Sequence, residues 1–405
     1  MIGNFFKRSA ALILSFSLLG GITGFAAHTV SSECDISDIA VPVTAQAQEN
    51  DSAPFDIDAK SAVLAEVNTK TVLYEKNSDE KLPPASITKI MSLLLIMEAI
   101  DSKRITLSDN ISASEHAASM GGSQIWLEPG ETMTVDELLK AAVIASANDA
   151  TVALAEAIAG SEEEFVRLMN EKAKKLGMNN TQFKNCTGLD AEGHYSSAAD
   201  IAIMSCELIK HDLIKKYSTV WMDTLRNGES ELVNTNKLVR FYSGTTGLKT
   251  GTTSSAGYCL SATAERDGTE FVAVIMCASA SAERFSAAKK LLDHGFANYR
   301  YTCIKSDKDE YEALISNAAD PTIMLKADKG FDLLLKKSST GKITKEVKID
   351  ENITAPVKKG EKLGKIIISN DGVQIGAIDL LAKKDVGKIN FKTVFSWLIK
   401  GIFTP

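Results

Sequence analysis

The chain has 405 residues, of which 44% are apolar, and a formal net charge of −7. That length favours two domains over one, and the apolar share is ample for folded cores. The acidic balance argues against a nucleic-acid partner, and there is neither a dense Lys/Arg block nor a Gly-rich phosphate loop.

At the N-terminus, Lys7 and Arg8 precede an apolar run from Ala10 to Ala27. A short positive region followed by an apolar one reads as a secretory signal, residues 1–26, with cleavage after Ala26 or as late as Ala47. The rival reading is an uncleaved anchor, which Gly20, Gly21 and Gly24 weaken as a stable span. Either way the folded part is exported. Residues 27–52 are polar and without pattern, so they read as a linker. Of the six cysteines, none forms a Cys-x-x-Cys pair, which disfavours a zinc ribbon or a thioredoxin-type centre. Cys34 follows the apolar run by several polar residues, against a lipoprotein. Cys259 and Cys277 are expected on neighbouring strands, with their pairing left open.

From Ala59 the segment KSAVLAEVNTKTVLYEKN alternates and turns at Asn68, the pattern of a β-hairpin. Helical stretches then dominate from Ser86 to about Lys216. One of them, TVDELLKAAVIASAN, opens with Thr134 as N-cap and Glu137 three residues on, a capping box. Strands return between Thr246 and Ala262 and from Glu270 to Cys277, and a helix follows over about 282–299. Strands at both ends with helices between them suggest one sheet assembled from the two ends of the domain. Beyond Tyr301, short strands separated by turns such as Asn370-Asp371-Gly372 predict a small all-β domain, residues 301–385.

The last segment, residues 386–405, places Phe391, Val394, Phe395, Leu398 and Ile402 on one helical face, with Lys388, Lys392 and Lys400 carrying charge. It is too short and too charged to span a bilayer. A basic amphipathic helix with Trp397 and phenylalanines is expected to lie in the membrane surface, the rival being a helix packed on the β domain.

Three short motifs carry chemistry. Ser86 and Lys89 lie three apart at the head of an apolar helical run, behind Pro83-Pro84, so they share a face. A serine needs an adjacent base to become a nucleophile, and a lysine serves only if burial or a nearby cation keeps it partly neutral. Free N–H groups at a helix start would stabilise negative charge on an attacked carbonyl. Alone, this pair is a weak signal. It is followed, in order, by Ser146-Ala147-Asn148 between two helical stretches and by Lys249-Thr250-Gly251 on a strand edge. That triple set, with Ser-Ala-Asn where the known pattern has Ser-Asp-Asn, resembles the one carried by penicillin-binding proteins and class A β-lactamases.

With the flanking text GGSQIWLEPGE, FKNCTGLDAEGHYSSAADIA, NTNKL and AGYCLSATAERDG, the chain resembles the low-molecular-weight penicillin-binding proteins, serine D-alanyl-D-alanine carboxypeptidases of the transpeptidase-like superfamily. The resemblance runs from about Ala53 to Arg300 and more weakly beyond. It implies an α/β (α+β) transpeptidase-like domain over residues 53–300, an antiparallel sheet flanked by helices, and a β-rich C-terminal domain without catalytic residues. It implies that Ser86 attacks the penultimate D-alanine carbonyl of a peptidoglycan stem peptide ending in D-Ala-D-Ala, with Lys89 accepting its proton. The amides of Ser86 and Thr252 would form the oxyanion hole, and Ser146 would relay a proton to the leaving D-alanine. Asn148 would orient Lys89 and the substrate amide. Lys249 would keep the local field positive and hold down the lysine pKa values. Thr250, with Gly251 and Thr252 on its strand, would meet the terminal carboxylate, and Arg284 stands where the family carries an arginine for that group. β-Lactam antibiotics would acylate Ser86. No metal or organic cofactor is implied.

Two other classes compete. A class A β-lactamase needs a glutamate to activate the deacylating water. The corresponding window, GMNNTQFKNCTG, has no acidic residue, and the long C-terminal extension also disfavours that class. A non-catalytic wall-binding module is disfavoured by three intact motifs. Transfer of the acyl group to an amine leaves transpeptidase or endopeptidase activity open. Of the remaining residues, His194 and Tyr195 sit in a loop where a base is unnecessary, His116 and His211 read as exposed helix residues, and Trp126 is expected to pack in the core near the site rather than bind sugar.

Overall fold

The computed structural model describes residues 32–33, 56–338 and 341–395. The signal segment, Cys34, most of the linker and the end of the amphipathic segment lie outside the described residues.

The first hairpin forms as its alternation predicts, from β1 (Ser61–Glu66) and β2 (Val72–Lys76). Its turn is held by the buried Glu66 carboxylate, which accepts from the Asn68 and Thr69 amides and the Thr69 hydroxyl. Three later strands, β3 (Thr245–Thr253), β4 (Gly257–Arg266) and β5 (Thr269–Ala278), complete an antiparallel sheet of order β2-β1-β5-β4-β3. Side chains alternate across a strand. On β5, Val272, Val274 and Met276 enter one core, and Phe271, Ala273 and Ile275 enter the other. Both faces of this strand are therefore covered, and its sequence is apolar throughout.

The first core holds the helical body. Its centre is α1 (Lys89–Asp101), in which eight apolar residues, Ser92 and Lys89 are buried and almost no face is exposed. A helix apolar all round belongs inside a domain. Against it pack α3 (Asn148–Ala159), α4 (Glu162–Lys175) and α5 (Ala198–Ile209), while α2 (Val135–Ile144) packs on α3 and α6 (Asp212–Ser218) on α2 and α5. The capping box of α2 is present: Thr134 Oγ1 accepts from the Glu137 amide, and Glu137 accepts from the Thr134 amide. In α4, Glu162, Glu163 and Glu164 occupy the first turn and Lys172, Lys174 and Lys175 the last, which complements the helix dipole. The second core lies between the opposite sheet face and α7 (Ser281–Asn298).

From α7 to Ala382 the regular elements among the described residues are all strands: β6 (Tyr299–Ile304), β7 (Glu310–Leu314), β8 (Thr322–Ala327), β9 (Phe331–Lys336), β10 (Ile343–Ile349), β11 (Lys362–Asn370) and β12 (Val373–Ala382). Strands β10-β11-β12-β8-β7 form one sheet, extended beside β10 by Ser32–Glu33, while β6 pairs with β9. On β9, Leu333 and Leu335 enter the third core, and Leu334 enters the core beneath α7. That alternation helps to join the two folded parts, as does β6, which puts Tyr299 in the core beneath α7 and Ile304 in the third core.

Candidate active site

Ser86 sits in a 3₁₀ turn, Ala85–Thr88, and α1 begins only at Lys89. In a 3₁₀ turn residues i and i+3 eclipse. Lys89 Nζ accordingly lies 3.1 Å from Ser86 Oγ. The lysine is fully buried and also donates to Asn148 Oδ1 at 2.5 Å and to the Thr187 carbonyl at 2.7 Å. The Ser86 amide has no backbone acceptor among the described residues.

Ser146 occupies the joint between α2 and α3 with φ of 64°, buried, and its hydroxyl has no hydrogen-bond partner among the described residues. Asn148 opens α3. Its amide donates to the Ser123 carbonyl and its Nδ2 to the Gly121 carbonyl, so the side chain is fixed with Oδ1 toward Lys89. Asp149, next along, accepts from the amides of Ile125, Leu127 and Ala150 and ties down the same 121–127 loop.

The Lys249-Thr250-Gly251 motif lies on β3, an edge strand beside the turn that carries Ser86. A Cβ at Gly251 would come within 2.9 Å of the Pro84 carbonyl oxygen and the Ser86 nitrogen, so the strand approaches Ser86 as closely as a glycine allows. Thr250 Oγ1 donates to Thr235 Oγ1, within the NTNKL segment. Thr252 Oγ1 donates to the Gly251 carbonyl. The resemblance assigns Arg284 to the substrate carboxylate. Here its Nη1 donates to the Gly251 carbonyl, Thr252 Oγ1 and the Cys259 carbonyl, so it grips the strand from the α7 side.

Motif reading missed the loop 185–196. Asn185 Oδ1 accepts from the Thr187 and Gly188 amides, an Asx-type turn whose sequence signal is Asn185 followed by Gly188. This turn presents the Thr187 carbonyl to Lys89 and lays Gly188 against the Ala85 carbonyl. Asp190 accepts from the hydroxyls of Thr253 and Ser255, joining the loop to the far end of β3. His194 Nδ1 accepts from the Lys184 amide, so Nε2 carries the proton and donates to Thr88 Oγ1 at 2.8 Å. Burial pushes this imidazole down to about 4, and it stays neutral as a structural link rather than a base. His116 and His211 pair with Glu162 and Asp101. Cys259 and Cys277 lie on β4 and β5, with the Cys277 amide donating to Cys259 Sγ.

The expectation for Trp126 is overturned. Ile125 and Leu127 are buried on either side, but Trp126 itself is 75% exposed. Asp149 holds the two flanking amides, which turns the residue between them outward.

Burial is the main cause of the Lys89 shift, down to about 7, opposed by the Asp149 charge. The Cys186 thiol beside it is pushed well up by its own burial and is neutral at pH 7. Lys249 is driven well below its usual range, by burial first and then by Lys89 and Arg284. The like-charge effect expected to act on both lysines therefore acts on Lys249, while Lys89 owes its depression to desolvation. Burial also lowers Arg284. Among the described residues no cluster of His, Cys, Asp and Glu is arranged to hold a metal ion.

A serine in contact with a buried lysine, beside a strand edge, is the arrangement that a serine acyl-transfer enzyme requires. The chain belongs to the D-alanyl-D-alanine carboxypeptidase family of serine peptidases, whose model matches residues 45–280. Residues 300–388 match the C-terminal domain of penicillin-binding protein 5. The chain is 48% identical to D-alanyl-D-alanine carboxypeptidase DacF of Bacillus subtilis, over 83% of this chain and 88% of that one. It is similar to the crystal structure of penicillin binding protein 5 from Haemophilus influenzae, with a TM-score of 0.71 and 30% identity over 83% and 99% of the two chains. It also resembles ampicillin-bound penicillin-binding protein D2 from Listeria monocytogenes, with a TM-score of 0.54 and 32% identity over 59% and 98%. The fold is the expected one, an antiparallel sheet between helices followed by an all-β part.

Proposed function

We propose that Ser86 is the nucleophile of this serine-type D-alanyl-D-alanine carboxypeptidase. Neutral Lys89 takes the Ser86 proton as Oγ attacks the penultimate D-alanine carbonyl of the peptidoglycan stem. The amides of Ser86 and Thr252 receive the oxyanion. Collapse breaks the amide bond, and the departing D-alanine nitrogen takes a proton relayed through Ser146. Water then hydrolyses the Ser86 ester. Thr250 meets the terminal carboxylate, and Lys249 and Arg284 supply the positive field that draws it in. Arg284 also holds the Gly251–Thr252 backbone in place. A penicillin enters as the same carboxylate-bearing amide and acylates Ser86. The observation that carries this reading is the 3.1 Å contact between Ser86 Oγ and a buried Lys89.

The test mixes the protein with a fluorescent penicillin and with a peptide ending in D-Ala-D-Ala, beside Ser86→Ala. Stable labelling with D-alanine release, both lost in the variant, is the expected result. Rapid loss of label with hydrolysed penicillin would point instead to a β-lactamase, and no labelling would sink the assignment of Ser86.

Reaching peptidoglycan requires export, which the reading of residues 1–26 as a signal would supply. We infer further that the C-terminal segment rests on the membrane surface. No helix among the described residues is long and apolar enough to cross a membrane. Residues 391–395 are helical, and the Phe391 and Phe395 rings stack at 5.9 Å while 81% and 51% exposed. Apolar rings on a lysine-bearing helical turn fit the interface. The full chain is expected to float with anionic lipid vesicles, and the Phe391→Asp/Phe395→Asp double variant to stay behind. Equal flotation of both would remove the anchor.

A further inference from the structure

Trp126 is held outward by machinery that the catalytic reading leaves unexplained. Its φ is 61°, a left-handed conformation that a bulky side chain adopts only when its surroundings impose it. Those surroundings are specific. Asp149 accepts from the amides before and after it, and Arg226, paired with Glu131, donates to the Ile125 and Trp126 carbonyls. The outcome is an indole 75% in water between two buried neighbours. It is the strain and the bracing, not the exposure by itself, that point to a contact surface, since a backbone outlier held this firmly is a reason to look for function and tryptophan is favoured where a ring is presented at an interface.

The indole borders a surface pocket of about 420 Å3, whose other walls include Glu115, Ser119, Gln124, Glu128 and Pro129. A flat apolar ring beside an amide, a hydroxyl and two carboxylates suits a pyranose. The C–H face of the sugar covers the indole, and its hydroxyl and acetamido groups reach the polar rim. The pocket is one loop away from the catalytic groups, since Gly121 and Ser123 of the same segment accept from Asn148. The stem peptide is covalently joined to an N-acetylated amino sugar, so a bound stem brings that glycan to the rim of the cleft.

We propose that the Trp126 pocket is a sugar subsite that binds the N-acetylhexosamine backbone carrying the stem peptide, an inference that rests on the carboxypeptidase reading for its substrate. Binding there is made equally in the ground and transition states, so its loss raises KM and leaves kcat alone.

The test compares wild type, W126A and W126F on a disaccharide-pentapeptide and on the bare pentapeptide, both ending in D-Ala-D-Ala. For W126A, KM for the sugar-bearing substrate is expected to rise roughly tenfold with kcat unchanged, the size of one lost aromatic contact. KM for the bare peptide should move less than about twofold, and W126F should recover most of the loss. Equal changes on both substrates would mean that Trp126 only braces the loop, and no change on either would leave no sugar subsite. A second arm follows binding of the peptide-free disaccharide by saturation-transfer NMR. Transfer to wild type that disappears in W126A supports the subsite even if neither substrate loses D-alanine. No transfer to wild type overturns it even if both substrates are cleaved.

Discussion

Gly188→Ala is expected to slow acylation of Ser86 by roughly a hundredfold, the cost of misplacing a reacting group by about an ångström. The new Cβ would stand 1.8 Å from the Ala85 carbonyl oxygen and 2.9 Å from the Ser86 nitrogen. Both are backbone atoms of the nucleophile turn, so no side-chain rotation relieves the clash. Either the turn or the loop must retreat. If the loop retreats, the Thr187 carbonyl leaves Lys89, and if the turn retreats, Ser86 leaves its lysine. Stability should fall too, by about 1–3 kcal/mol for overpacking. Left-handed backbone adds about 1–2 kcal/mol for alanine. Gly177→Ala is the control: its φ is +77° and nothing lies within 4 Å of the Cβ, so it suffers the backbone penalty without the clash. Acylation by a fluorescent penicillin and a thermal melt of each variant make the comparison. Acylation of the Gly188 variant within about fivefold of wild type would show that the 185–196 loop does not position Ser86.

The contrast between these two glycines shows where the sequence was legible and where it was not. The alternation of the first hairpin and the capping box of α2 are local patterns, and each element formed where its pattern lies. Ser86 and Lys89 are three apart, so their contact follows from turn geometry. The Thr187 carbonyl is a backbone group, and no side chain at that position announces that it faces Lys89. Gly188 looks like any turn glycine until Ala85, about a hundred positions earlier in the chain, is brought against it. Trp126 failed as an expectation for the same reason. Its exposure is decided by Asp149, which accepts from the amides of its two neighbours, and by Arg226, which donates to its carbonyl, both from other segments, and not by its own hydrophobicity. Arg284 is a milder case: a numbered position found it, but its three acceptors depend on how α7 packs behind β4 and β3.

The pH dependence of acylation is the second large effect. Lys89 falls from 10.5 to about 7 because it is buried, so about half of it is neutral at neutral pH. Only the neutral form can take the Ser86 proton. The acylation rate should therefore climb with pH up to an apparent pKa near 7 and then level, losing about tenfold for each unit below it. Lys249 and Arg284 are close enough to interact, so the midpoint belongs to the cluster rather than to one amine. Replacing the base should remove about 10² to 10⁴ of the rate, so Lys89→Met is expected to label with penicillin only on long incubation. The same shift fixes a sign for stability. A lysine whose folded pKa lies below its unfolded value binds fewer protons when folded, so stability rises with pH between about 7 and 10.5 and the burial penalty is full below 7. Measured as wild type minus Lys89→Met, which cancels the other titrating groups, the difference in melting temperature should move in favour of wild type as pH rises through that window. A difference that stays flat from pH 6 to pH 9, together with acylation insensitive to pH, would show that Lys89 is not the neutral base that its burial implies.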